Sequence, residues 1–278
     1  MINLDSHQHF WKYDVREYAW IDESMSLLRR DFMPEDLQTE LRRNGFDGCI
    51  AVQARQTIKE TEWLLELAGR HSFIKGVVGW VDLSSPEVRF QLQRLCRNPK
   101  LTGIRHIVQS EPDDRFLLQP DFLRGIALLA EFNLTYDVLI YTRHLSVAAE
   151  FVSRFPQQRF VLDHLAKPQI REHGLADWSR GIRQVAKSPN AYGKLSGLVT
   201  EADWTKWTEG DFAPYLEVAF ECFGPERLMI GSDWPVCTVA GNYSRVMDIV
   251  KNYLMRFSAD AREAVLGKTA NEVYRCAS

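Results

Sequence analysis

Two imidazoles two residues apart, His7 and His9, end the apolar stretch that begins at Ile2. In an extended strand, residues i and i+2 face the same side, so both rings aim into one space. Imidazoles held there can ligate a metal, exchange a proton near neutral pH or polarise a carbonyl. A third, His164, ends the apolar run Arg159 to His164, where Asp163 just before it is placed to orient a neighbour. A carboxylate, Asp233, ends Leu228-Met229-Ile230-Gly231-Ser232-Asp233, and Trp234-Pro235 stops that run. The plain alternatives are core histidines and a turn or cap aspartate. Brought together, the four would suit activation of water beside a polarised carbonyl.

Positioning residues so far apart in sequence needs a fold that gathers strand ends. After the opening strand, short apolar runs recur at 47 to 53, 73 to 81, 101 to 108, 134 to 141, 159 to 164, 191 to 196 and 227 to 233. Helical stretches lie between them, at about 34 to 44, 58 to 71, 86 to 98, 120 to 132, 144 to 155, 176 to 187 and 212 to 223, and closing helices follow at about 242 to 255 and 258 to 274. Strands of this kind, each followed by an amphipathic helix, point to parallel strands buried on both faces. Eight such units predict a closed (β/α)8 barrel of the α/β class. An open doubly wound sheet is the alternative, but no Gly-x-Gly-x-x-Gly follows any strand. Such a barrel takes about 250 residues as one domain, so residues 1–278 are read as a single domain.

The C-terminal strand ends of a barrel meet at one mouth. The polar residues there are His7 and His9, Gln53 and Arg55, Arg105 and His106, Tyr141, His164, Lys194 or Ser196, and Asp233. His71, His144 and His173 fall in or beside helices and are read as solvated. The long stretch from 10 to 33 carries large aromatic residues without periodicity, which predicts a packed loop forming one wall of the pocket.

Composition narrows the partners. A net charge of −3, with 26% charged residues, gives no footprint for nucleic acid or an anionic membrane surface, leaving a small molecule as the expected partner. No apolar run approaches the roughly 20 residues needed to span a bilayer. Five cysteines without a C-x-x-C spacing suggest neither a disulfide framework nor a thiolate zinc site. With the first strand starting directly after Met1, no secretory leader is expected, and the chain is read as cytoplasmic. Eight tryptophans would permit a homo-oligomer interface without requiring one.

Taken together, Leu4-Asp5-Ser6-His7-Gln8-His9-Phe10-Trp11, Gly103-Ile104-Arg105, Leu162-Asp163-His164-Leu165-Ala166-Lys167-Pro168 and Gly231-Ser232-Asp233-Trp234-Pro235 resemble the amidohydrolase superfamily. More narrowly they resemble its branch of sugar-lactone and dicarboxylate-lactone hydrolases, which includes fuconolactonases and pyrone-dicarboxylate lactonase. The resemblance implies a distorted (β/α)8 barrel and lactone hydrolysis at its C-terminal face. Fuconolactone and rhamnonolactone are the first substrates it suggests. The chain departs from the binuclear members, which use a lysine from the fourth strand and a histidine from the fifth, by carrying Arg105 and His106 on the fourth and Tyr141 at the end of the fifth. Turnover without a required metal is therefore expected. A single zinc, if bound, would be held by His7, His9, His164 and Asp233.

On this reading Asp233 takes a proton from water while two or more of His7, His9, His164 and Arg105 polarise the lactone carbonyl. The sugar would meet Gln53, Arg55, Arg105, His106, Tyr141 and the amines Lys167 and Lys194, with Trp11 or Trp234 against its apolar face. A dicarboxylate substrate would call for several convergent arginines, and only Arg55 and Arg105 are expected near the mouth. The alternatives are a dicarboxylate lactonase of the pyrone type and a metal-dependent decarboxylase or amidohydrolase of the same superfamily.

Overall fold

The computed structural model describes residues 2–276, so Met1, Ala277 and Ser278, the ends of the expected domain, lie outside the described residues. The apolar runs form eight parallel strands in sequential order: β1 (Leu4–Gln8), β2 (Gly48–Val52), β3 (Ile74–Gly79), β4 (Leu101–Ile107), β5 (Thr135–Leu139), β6 (Phe160–Leu162), β7 (Ala191–Leu195) and β8 (Leu228–Ile230). Helices follow them in turn: α1 (Pro34–Arg43), α2 (Ile58–Arg70), α3 (Val88–Leu95), α4 (Pro120–Leu129), α5 (Leu145–Ser153), α6 (Ala176–Ala186), α7 (Glu209–Phe223) and α8 (Tyr243–Leu254). The expected (β/α)8 barrel is the fold. Local chemistry sets the helix starts. Pro34 opens α1 while Asp36 accepts the Met33 N–H at 2.9 Å, and the side chains of Thr57 and Asn242 cap α2 and α8.

β1 and β8 close the barrel through few backbone bonds, Asp233 N–H to His7 O at 2.8 Å and His9 N–H to Trp234 O at 2.7 Å. The buried Asp5 carboxylate reinforces the seam by accepting from Ser232 N (2.9 Å), Ser232 Oγ (2.6 Å), the Tyr243 hydroxyl (3.0 Å) and His7 N (3.2 Å). This is where the barrel is distorted. Leu4, Ile50, Val52, Val78, Val161 and Met229 fill its interior, and Ala270, Val273 and Tyr274 from the chain's end plug the bottom.

Three expectations change. The last helix, expected over 258 to 274, is broken into α9 (Ala259–Glu263), a π turn at Ala264–Lys268 and α10 (Thr269–Val273). Gly267 lies in that π turn so close to β1 that a Cβ would stand 3.0 Å from Asn3 Cα. The sixth and eighth strands end earlier than expected, at Leu162 and Ile230, and the residues expected to close them, His164 (φ 53°) and Asp233 (φ 58°), lie outside the extended region. The loop from 10 to 33 anchors Phe10, Trp11, Tyr18, Ile21, Leu28 and Phe32 in the core and leaves most of its other residues exposed; Trp11 packs against Tyr18 and Phe32 and donates to Arg30 O at 2.9 Å, so only the loop's Trp20 and Met25 reach the cavity described below. Among the described residues, no helix is long and apolar enough to cross a membrane.

Candidate active site

Four side chains separated by up to 226 positions meet at the C-terminal mouth. Asp233 Oδ1 lies 3.4 Å from His9 Nε2, 3.7 Å from His7 Nε2 and 4.0 Å from His164 Nε2. His7 and His9 face each other Nε2 to Nε2 at 3.2 Å, as the strand alternation requires. Beyond β6 the backbone turns left-handed for four residues in a row, His164, Leu165, Ala166 and Lys167, with φ between 49° and 58°. None is glycine, so each costs about 1–2 kcal/mol. The turn is held by Lys167 N–H to His164 O (2.9 Å), Trp178 Nε1–H to Leu165 O (2.7 Å) and the Thr142 hydroxyl, which contacts Ala166 O and Lys167 O. With three residues to the turn, positions i and i+3 share a face; His164 and Lys167 both line the cavity. Gly197 (φ 61°) lets the ring in, since a Cβ there would come within 2.7 Å of His164 Cγ.

Beneath the histidines lies a buried ionic layer. Lys194 reaches Asp137 at 2.6 Å, Asp163 at 3.0 Å and His7 Nδ1 at 3.2 Å, while Arg105 reaches Asp163 at 3.0 Å and His7 Nε2 at 3.4 Å. Two carboxylates thus face two cations. Burial opposes charge on Asp163, but Lys194, His7 and Arg105 outweigh it and hold that carboxyl well below its usual range. Burial, with Lys194 and His164 adding to it, pushes His7 well below its ordinary value despite Asp163, and burial lowers His164 to about 4. Both rings are neutral near pH 7. Burial also acts to raise Asp233, yet His164, His9 and His7 prevail and keep it ionised.

Second partners set the tautomers. His9 Nδ1 sits 2.8 Å from Val52 O, which only accepts, so Nδ1 carries a proton. His7 Nδ1 faces both a donor, Lys194, and an acceptor, Asp163 Oδ1 at 3.4 Å, while His164 Nδ1 meets the Ser196 hydroxyl at 2.9 Å. Either tautomer of His7 and His164 is therefore supported. With Nδ1 accepting, each carries its proton on Nε2, which in His164 faces the cavity; with Nδ1 donating, the Nε2 of each offers a lone pair to a cation. Ligand atoms of His7, His164 and Asp233 lie within 4.8 Å of one another, and His9 Nε2 adjoins them. Three imidazoles and a carboxylate at such spacing fit a zinc-sized ion with nitrogen and oxygen ligands.

The cavity above this cluster has a volume of about 410 Å³ and is lined by His9, Arg105, Tyr141, His164, Lys167 and Asp233 among the expected residues. Others expected there point elsewhere. Arg105 faces inward, so its strand neighbour His106 faces outward, donating to Glu111 at 2.6 Å and stacking on Phe116. Gln53 is buried beneath the site, where its side-chain amide nitrogen donates to Arg105 O at 3.1 Å and its backbone carbonyl accepts from the Arg105 guanidinium. Arg55 is tied to Glu60 at 2.6 Å and to Glu17. Trp11 and Trp234 pack in the core around Phe32; the tryptophans on the cavity are Trp20 and Trp204. Lys194 serves the layer below. His144, expected in solvent, is buried and bonds Asp114 at 2.9 Å.

The sequence reading missed Asp137, Glu201 and Trp204. A carboxylate inside the apolar run Thr135-Tyr136-Asp137-Val138-Leu139 was a readable signal for the first. Glu201 and Trp204 lie beyond β7 in a stretch with no pattern to mark them.

A family model described as amidohydrolase matches residues 4–276. An L-fucono-1,5-lactonase of Burkholderia multivorans is 40% identical over 284 residues, covering 98% of this chain and 96% of the relative. An L-fucono-1,5-lactonase of Burkholderia ambifaria is 37% identical over 279 residues, covering 98% and 95%. A solved Burkholderia multivorans amidohydrolase, crystallised with bound zinc, superposes with a TM-score of 0.97 at 40% identity, covering 100% of both chains.

Proposed function

The chain belongs to the amidohydrolase family, and from that premise we propose that it is a sugar-lactone hydrolase that opens L-fucono-1,5-lactone or a close relative with Asp233 as general base. The observation that carries the reading is a buried carboxylate, Asp233, within 4.0 Å of three imidazoles at the floor of a cavity that Arg105 also lines. The substrate comes from the two lactonase relatives, at 40% and 37% identity. The cavity also favours a neutral ring over a dicarboxylate. Arg105 is its only guanidinium among the described residues and already serves Asp163, and Glu201 would repel a second carboxylate.

Water attacks the lactone carbonyl carbon as Asp233 takes one of its protons. The Arg105 guanidinium and the Nε2–H of His164, both on the cavity, receive the oxygen that becomes negative, a charge worth stabilising strongly in a site shielded from solvent. The intermediate collapses, the ring C–O bond breaks, and Asp233 returns its proton to the departing ring oxygen. The product is the open hydroxy acid. His9, with Nδ1 donating to Val52 O, holds its Nε2 beside both Asp233 and His7. Trp20 and Trp204 offer apolar faces to the sugar ring.

If zinc is bound, His7, His9, His164 and Asp233 would hold it, and it would supply Lewis-acid polarisation and a more acidic water. We infer that turnover does not depend on it, because an ester with an alkoxide leaving group within reach of Arg105 needs less electrophilic help than an amide.

One experiment tests base, substrate and metal together: hydrolysis of L-fucono-1,5-lactone followed by acid release, with wild type, chelator-treated wild type and Asp233→Asn. The expected result is acid release by wild type and chelated enzyme alike, and a loss of kcat of at least about 100-fold in Asp233→Asn. An unchanged rate in that variant removes the assigned base. Activity lost on chelation and restored by zinc overturns the metal-independent step and leaves the lactonase reading standing.

A further inference from the structure

Lys167 and Glu201 share the cavity with Asp233 but have no part in the chemistry above. Their charged atoms stand 3.7 Å apart, beyond hydrogen-bond distance, with the Lys167 side chain 18% and the Glu201 side chain 22% exposed. Among the described residues, the Lys167 ammonium has no hydrogen-bond acceptor, and it lies 5.4 Å from the centre of the Tyr141 ring. Glu201 has one weak contact, from the Thr200 hydroxyl at 3.4 Å. Two poorly solvated charges left short of partners are costly, and the left-handed run that ends at Lys167 adds backbone strain of the kind kept at ligand-binding positions. Placing His164 alone needs one left-handed residue. Extending the run to Lys167 puts the ammonium on the same face as the imidazole.

Tyr141, Lys167 and Glu201 also border a wider cleft of about 760 Å³ that adjoins the cavity. The pair therefore stands where the cavity opens, away from its histidine floor. A lactone whose carbonyl lies against Arg105 and Asp233 would turn the hydroxyl-bearing edge of its ring toward this opening. A carboxylate accepts from two vicinal hydroxyls at once, and an ammonium donates to their oxygens. We propose that Lys167 and Glu201 form the subsite that reads the vicinal hydroxyls of the ring, so that the enzyme selects polyhydroxylated lactones over unsubstituted ones. This rests on the sugar-lactone reading above and adds the residues that enforce it.

The test compares kcat/KM for L-fucono-1,5-lactone and for δ-valerolactone, an unsubstituted ring of the same size, in wild type, Lys167→Met and Glu201→Gln. Competitive inhibition by δ-valerolactone replaces its turnover if that is too slow to measure. Each variant is expected to lower the ratio of the two values about 10- to 100-fold, as loss of a hydrogen bond to a charged group does, mainly through KM for the sugar lactone. A double variant should lose less than the product of the two effects, because both residues hold one diol. An unchanged ratio, whether both substrates suffer or neither does, overturns the subsite. A wild type that opens no sugar lactone would instead sink the functional reading, and this inference with it.

Discussion

Lys194 shows how much one side chain can carry without touching substrate. It is fully buried, bonded to two carboxylates from β5 and the end of β6, and its third contact is the nitrogen of His7 that faces away from the cavity. Removing one partner from a buried charge network leaves the rest uncompensated, at about 3–5 kcal/mol. Lys194→Met should therefore lower stability by that much in urea denaturation, and pairing it with Asp137→Asn should recover part of the loss. Equal stability of wild type and Lys194→Met would mean the layer is not ionic. At this scale the sequence was legible where a residue type is rare in its setting. Histidines at strand ends and a carboxylate before Trp-Pro stood out, whereas Arg105 and His106 were counted together although neighbouring strand residues face opposite ways.

The element that decides catalytic geometry is the left-handed turn after β6, and it depends on a glycine one strand away. Gly197 follows β7 and lies against the His164 ring, in a conformation that also disfavours a side chain. Gly197→Ala should push the imidazole off its position. A shift of about 1 Å costs on the order of 100-fold in rate, so kcat should fall by about that factor while a fold-wide measure such as the thermal midpoint moves little. A kcat within threefold of wild type would show that the placement of His164 is not critical. The turn could not be read from Asp163-His164-Leu165-Ala166-Lys167, because after His164 none of the residue types in the run favours a positive φ. Trp178, Thr142 and Ser196, far along the chain, impose it.

For the molecule as a whole, the two ends of the barrel are coupled through its axis. The Tyr274 hydroxyl, from the helix that plugs the bottom, bonds Asp137 at 2.8 and 2.9 Å, and Asp137 in turn holds Lys194 under His7. Tyr274→Phe should lower stability by about 1–3 kcal/mol, the cost of a charged acceptor losing its donor in the interior, with KM for the lactone unchanged. A stability equal to wild type would uncouple the plug from the site. Sequence alone determined the eight strands, the helices between them and hence the barrel, because apolar runs and amphipathic periods are local and repeat. It also determined that His7, His9, His164 and Asp233 would reach one rim, since parallel strands in a closed sheet end together. Only the tertiary structure decided which neighbours face inward, that Trp20 and Trp204 rather than Trp11 and Trp234 meet the cavity, and that Glu201 stands beside Lys167. Those outcomes depend on contacts between segments many residues apart, and local residue types carry no record of them.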